Sequence, residues 1–139
     1  MRMNYMKVIA AGLIGTLVMT AVGVWGAPMM GMPQMNPADM LAAKMGGNML
    51  LGWMGHLMIG VVLALIYAAV AASRLPGPAA IRGATFALAP WLVAQVVMMP
   101  MVGMPVFSGS IALAGGSLLG HLVYGLVIGA MIGDPMMAA

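Results

Sequence analysis

The sequence predicts an all-α fold, a four-helix transmembrane bundle built from two repeated helical hairpins, and three observations carry that prediction. The first is solvation. Of 139 residues, 64% are hydrophobic and 5% charged, whereas a soluble domain carries roughly 25% charged residues to cover its large surface. Mean hydropathy is +1.11. The second is charge spacing. Arg2, Lys7, Asp39, Lys44, Arg74, Arg82 and Asp134 leave uncharged runs at 8–38, 45–73 and 83–133. A helix needs about 20 apolar residues to cross the hydrocarbon core. The first two runs therefore hold one span each. The third, divided by GMPVFSGS at 103–110, holds two. Continuous apolarity without alternation favours helices over strands, since backbone polar groups in lipid must be satisfied internally.

The third observation is repetition. PMMGMP at 28–33 returns as PMVGMP at 100–105, and GHLMIG at 55–60 returns as GHLVYG at 120–125. The order within each half is the same: a span, P-M-x-G-M-P, a loop, then a span bearing G-H-L-x-x-G. Matched motifs in register point to a duplicated hairpin. Two spans per unit preserve orientation, which makes it a parallel repeat. The whole of 1–139 reads as one membrane domain, with repeat 1 at about 8–73 and repeat 2 at about 82–133.

Taken in order, the first span is expected at about 8–26. Its apolar run is longer than a signal-peptide core, and bulky Trp25 stands where a cleavage site wants a small residue, so it is read as a retained helix. Pro and Gly in PMMGMP end it. Asn36-Pro37 with Asp39 opens a short surface helix running to about Met45. Gly46-Gly47 break the chain and Asn48 caps the second span, about 48–72. Leu75-Pro76-Gly77-Pro78 turns tightly into the third, about 83–102. Gly115-Gly116 and Ser117 are expected to repeat the break and cap before the fourth, about 113–133. Four spans put both termini on one side, with Arg2, Lys7, Arg74 and Arg82 there and only Lys44 opposite. The positive-inside rule then makes the termini cytoplasmic. The net charge of +3 reflects topology, and no basic patch awaits a nucleic acid.

Two histidines interrupt this apolar chain, His56 and His121, each inside G-H-L-x-x-G. Counted from the expected caps they lie roughly 12 Å and 6 Å along their helices, both in the outer half of the membrane. A plain packing role, one imidazole hydrogen-bonding across helices to Ser117, Gln95 or a carbonyl, fits a lone histidine. Two at equivalent positions of a repeat favour a shared ligand site, because symmetry gathers like residues near the axis. Gly52, Gly60, Gly116, Gly120, Gly125 and Gly129 are small residues that let helices approach closely, which makes the histidine-bearing helices expected neighbours. Gly60 and Gly125 also leave space below the imidazoles for a partner helix, a porphyrin edge or lipid.

Methionine supplies 20 residues. Most replace leucine as flexible filler. Those in the outer loops, Met29, Met32, Met101 and Met104, form two M-x-x-M pairs above the histidines, and Met49 shares the helical face of His56. Thioethers favour Cu(I), and imidazole accepts copper too. Bis-imidazole ligation of a b-type haem competes, but Lys44 is the sole outer cation for propionates, and Trp53, Trp91 and Tyr124 are few aromatics for a porphyrin wall. Enzyme chemistry is not expected. No acidic residue lies within a span, no Ser-His-acid set exists, no phosphate-cradling glycine loop precedes a lysine, and two histidines cannot make a three-ligand hydrolytic zinc site. The absence of cysteine removes thiolates and disulfides.

With P-M-x-G-M-P, L-P-G-P and L-x-G-H-L in place, the whole chain resembles a group of small Gly- and Met-rich four-span proteins of the bacterial inner membrane with no known activity. The resemblance implies topology and location and carries no cofactor or catalytic residue. The function expected is therefore a non-enzymatic membrane protein that binds or passes a soft metal, Cu(I) foremost, at His56 and His121. The alternative is a structural or accessory subunit of a larger membrane complex or homo-oligomer.

Overall fold

A computed structural model of the chain describes residues 3–134; Arg2 lies outside the described residues. The protein is all-helical. Four helices are long and apolar enough to cross a membrane: α1 Tyr5–Met29, α3 Met49–Ala71, α4 Ala79–Met101 and α5 Ile111–Ile132, while the short α2, Pro37–Lys44, lies in the first Met-rich loop. Caps come from where the sequence offers them. Asn4 accepts from Lys7 N, Asn36 from Ala38 N and Asn48 from Leu51 N, each at 3.0–3.1 Å, satisfying donors that a helix start leaves unpaired.

The span ends shift by up to four residues from the expectation, the largest at α4, which starts at Ala79 and so takes in Arg82; at α5 the departure is one of kind. α5 runs straight through Gly115-Gly116 and starts at Ile111, with Ser110 as its cap. Inside a bilayer an interrupted helix leaves backbone groups without water to bond, and that cost exceeds glycine's roughly 1 kcal/mol penalty. His121 is therefore ten residues into its helix, roughly 15 Å along, and not the shallower residue the glycine pair suggested.

Proline shapes the Met-rich ends of α1 and α4. Pro28 and Pro100 have no N–H to donate, and each is preceded by one wide turn, Val22–Gly26 and Ala94–Met98. There Ala27 bonds back to Val22 O and Met99 to Ala94 O. Beyond them the two P-M-x-G-M-P copies close alike: Met32 N donates to Ala27 O and Met104 N to Met99 O, both at 2.9 Å. Gly31 and Gly103 supply the positive φ of 74° and 86° that other residues resist.

In the bundle, α1 packs against both α3 and α5, and α4 packs against α5. The closest approaches are glycine-mediated. A Cβ on Gly83 would strike Gly125 O, one on Gly125 would strike Gly83 O, and one on Gly60 would strike Thr16 Oγ1. Among the described residues, α3 and α5 make no extended backbone contact with each other, contrary to the expectation that the histidine-bearing helices are neighbours. α1 lies between them instead. The core is small-grained, with Ala11, Ala64, Tyr67, Tyr124 and Ile128 all buried. Ile9, Leu13 and Leu17 on α1 and Met54, Met58 and Val62 on α3 stand outward at helical spacing, the apolar faces that lipid covers.

At the basic end, Arg82 is buried beneath the end of α3. Its Nη1 donates to Ala72 O at 2.7 Å and its Nη2 lies 3.4 Å from Asp134. Lys7 Nζ donates to Ile132 O at 3.0 Å, tying the start of α1 to the end of α5. The glycine contacts make a testable contrast. Gly125→Ala should lower stability by about 1–3 kcal/mol through overpacking, whereas Gly115→Ala, whose new methyl meets nothing within 4 Å, should be neutral or slightly stabilising. Unfolding in detergent, followed by circular dichroism, reads both.

Candidate functional site

Register between α3 and α5 is set by one bond. Tyr124 Oη on α5 donates to Gly60 O on α3 at 2.5 Å. One turn towards the Met-rich end, four residues before Gly60 and three before Tyr124, stand His56 and His121. The two imidazoles therefore stand at a similar level of the bundle.

Each ring has one nitrogen committed. Nδ1 of His121 lies 2.8 Å from Ser117 O; a carbonyl only accepts, so His121 carries its proton on Nδ1 and presents a lone pair at Nε2. Nε2 of His56 lies 2.9 Å from Thr20 Oγ1. Thr20 gives its single hydroxyl proton to Thr16 O at 2.7 Å, so the Nε2–H tautomer of His56 completes the chain and Nδ1 keeps its lone pair. A tautomer fixed by a second bond, with the other nitrogen free, is the arrangement that orients a metal-ligating histidine.

A polar chain supports His121. Ser108 Oγ donates to Gln95 Oε1 at 3.0 Å, Gln95 Nε2 donates to Ser117 Oγ at 3.1 Å, and Ser117 Oγ is 3.5 Å from His121 Nδ1. Gln95 is 1% exposed, so both ends of its amide need these partners. Phe107 and Ser108 adopt φ of 53° and 60°. For residues other than glycine this conformation costs about 1–3 kcal/mol, and it is what aims Ser108 inward.

The expected methionines divide. Met29 at 87% and Met101 at 68% exposure stand outward, as does Met49 on α3, and Met104 is half-buried. Met32 alone of that set turns onto α5, joined by Met35 and Met19. The position a Cβ would occupy on Gly116 lies 3.5 Å from Met32 Sδ and 3.7 Å from Met35 Cε, and that on Gly120 lies 3.4 Å from Met19 Cγ. Of the occupants expected below the imidazoles, a partner helix is the one present: Thr16 and Gly12 occupy the notch at Gly60, and Gly83 and Ala87 that at Gly125. Two surface grooves, one by Trp91 and Phe107 and one by Trp25 and Trp53, are not lined by either imidazole.

Among the described residues, no three His, Cys, Asp or Glu side chains gather to hold a metal. An ion at this layer would have to complete its coordination with thioethers or carbonyls. Sequence reasoning missed Thr20 as the partner of His56. The signal was available in Thr16 and Thr20, four apart and so on one face of α1. The tautomers are directly measurable: side-chain 15N spectra of the protein in micelles should show His121 protonated at Nδ1 and His56 at Nε2. A His121 signal with Nε2 protonated and Nδ1 bare would contradict the carbonyl bond.

The chain matches the profile of a family of unknown function, DUF6789, over residues 3–135, and it belongs to that family. No curated protein and no solved structure matches it.

Proposed function

We propose that this DUF6789 member is a non-enzymatic, multi-pass membrane protein that holds or passes a soft metal ion, Cu(I) foremost, at His56 and His121 near its Met-rich face. The observation that carries the reading is the pair of imidazoles in one layer, each fixed through one nitrogen and free at the other. Neutral imidazole suits cuprous ion, and thioethers at the same end of the bundle add ligands of matching softness. Met29, Met101 and Met104 at the rim would meet the ion first.

The orientation that goes with this reading puts Lys7, Arg74 and Arg82 in the cytoplasm and the Met-rich loops outside the bacterial inner membrane. A duplicated hairpin would supply its logic, each unit carrying one G-H-L-x-x-G histidine.

The test is a Cu(I) titration of purified protein against a chromophoric chelator, repeated with Ag(I), alongside a visible spectrum. Competitive binding is expected, abolished in the His56→Ala, His121→Ala double variant. Thr20→Val, which removes only the bond that orients His56, should weaken affinity by roughly tenfold while leaving the helical spectrum unchanged. A Soret band on the purified protein would replace copper with haem. Absence of any cofactor together with stoichiometric co-purifying chains would replace ligand binding with an accessory role.

A further inference from the structure

The geometry points to Met19, Met32 and Met35 as the thioether ligands of this site, a trio that joins the M-x-x-M pair 32/35 to a methionine of α1. This inference rests on the soft-metal reading of the histidine layer and names what completes it.

The placement follows from Pro28. Within the wide turn, Ala27 N bonds to Val22 O, and the next residue able to reach Gly23 O is Pro28, which has no N–H. Gly23 O is thus released from its own helix. It accepts from Met35 N at 3.1 Å, and a Cβ on Gly23 would crowd Met35 O at 2.5 Å. The loop is thereby pinned back against α1, and Met32 and Met35 come to rest on α5 at Gly116. Met19, from α1 itself, covers Gly120. Gly116 and Gly120 are successive steps of one helical face, roughly 6 Å apart in rise, and Gly120 adjoins His121. Three long, flexible thioether side chains therefore converge on the helix that carries the imidazole with its lone pair free at Nε2.

The glycines give this convergence its space. Beside Met32 Sδ the volume of a methyl group is empty at Gly116, next to a soft donor. Among the described residues the second half has no such trio. Its counterpart of Met35, at the same offset as the P-M-x-G-M-P copies, is Phe107, which is exposed. Among the described residues the thioethers beside Gly116 and Gly120 come from the first hairpin. A set of thioethers with imidazole selects Cu(I) and Ag(I) over Zn(II).

The experiment compares wild type, the Met19→Leu, Met32→Leu, Met35→Leu triple variant, and Met58→Leu, a lipid-facing control. Cu(I) affinity and the copper X-ray absorption fine structure of the loaded protein are measured. Wild type and the control should show a mixed sulfur and nitrogen shell. The triple variant should lose the sulfur shell and weaken by more than the roughly tenfold that loss of an outer partner costs. A triple variant that keeps both sulfur shell and affinity, while the double histidine variant loses binding, overturns the trio and leaves the histidine reading standing. A wild type that binds neither Cu(I) nor Ag(I) overturns both. Should the triple variant fail to fold, selenomethionine-labelled wild type decides: a copper–selenium shell supports thioether ligation and its absence overturns it. The single variant Met35→Leu then locates it, since an undiminished shell there removes Met35 from the set.

Discussion

Close backbone approach between helices is the constraint from which the rest of this structure follows. In lipid no hydrophobic driving force separates helix from solvent, so association depends on packing distance and on the few polar bonds that distance permits. Gly83 against Gly125, and Gly60 against Thr16, bring main chain to within contact of main chain or hydroxyl. Only at such separations can Tyr124 span from α5 to a carbonyl on α3. That bond in turn fixes the level at which His56 and His121 sit. The histidine layer is a consequence of glycine placement one turn below it.

The buried polar groups obey the same economy of distance. Every one that bears on the site is answered within a turn or across a helix pair: His56 by Thr20, Thr20 by Thr16, His121 by Ser117, Ser117 by Gln95, and Gln95 by Ser108. Unanswered, each would cost several kcal/mol in hydrocarbon. The strained Phe107-Ser108 turn is explained by this demand, since its cost of about 1–3 kcal/mol is smaller than that of leaving Gln95 Oε1 bare.

The four spans were legible because charge is the scarcest commodity in the chain, and each long gap holds the apolar body of one span or two. Asn36, Asn48 and Gly46-Gly47 were legible because capping and turn chemistry are local. Gly115-Gly116 misled for a physical reason: the same dipeptide that ends a helix in a loop is retained inside one when lipid surrounds it. The fold of the Met-rich loop was not legible at all. It depends on Gly23 O being free, which depends on a proline five residues on and on a partner twelve residues on. No periodicity records a bond of that kind. The neighbours of α3 were also hidden, because glycine patterns say that a face packs closely and not which helix it meets.

The two halves are alike in motif and unlike in use. Both P-M-x-G-M-P segments turn with the same bonds, yet position 23 is glycine in the first half and position 95 glutamine in the second. Where glycine stands, the freed carbonyl takes a backbone N–H and draws the loop down with its methionines. Where glutamine stands, the side-chain amide takes the loop through Ser108 and extends the contact to Ser117 and His121. One loop thus lays Met32 and Met35 on α5 at Gly116, and the other reaches Ser117 beside His121. A strict two-fold would have given each histidine a share of both. Among the described residues α1 meets α5 along its length while α4 meets α3 near the basic end, so the contacts of both loops gather on α5, at Gly116 and Ser117.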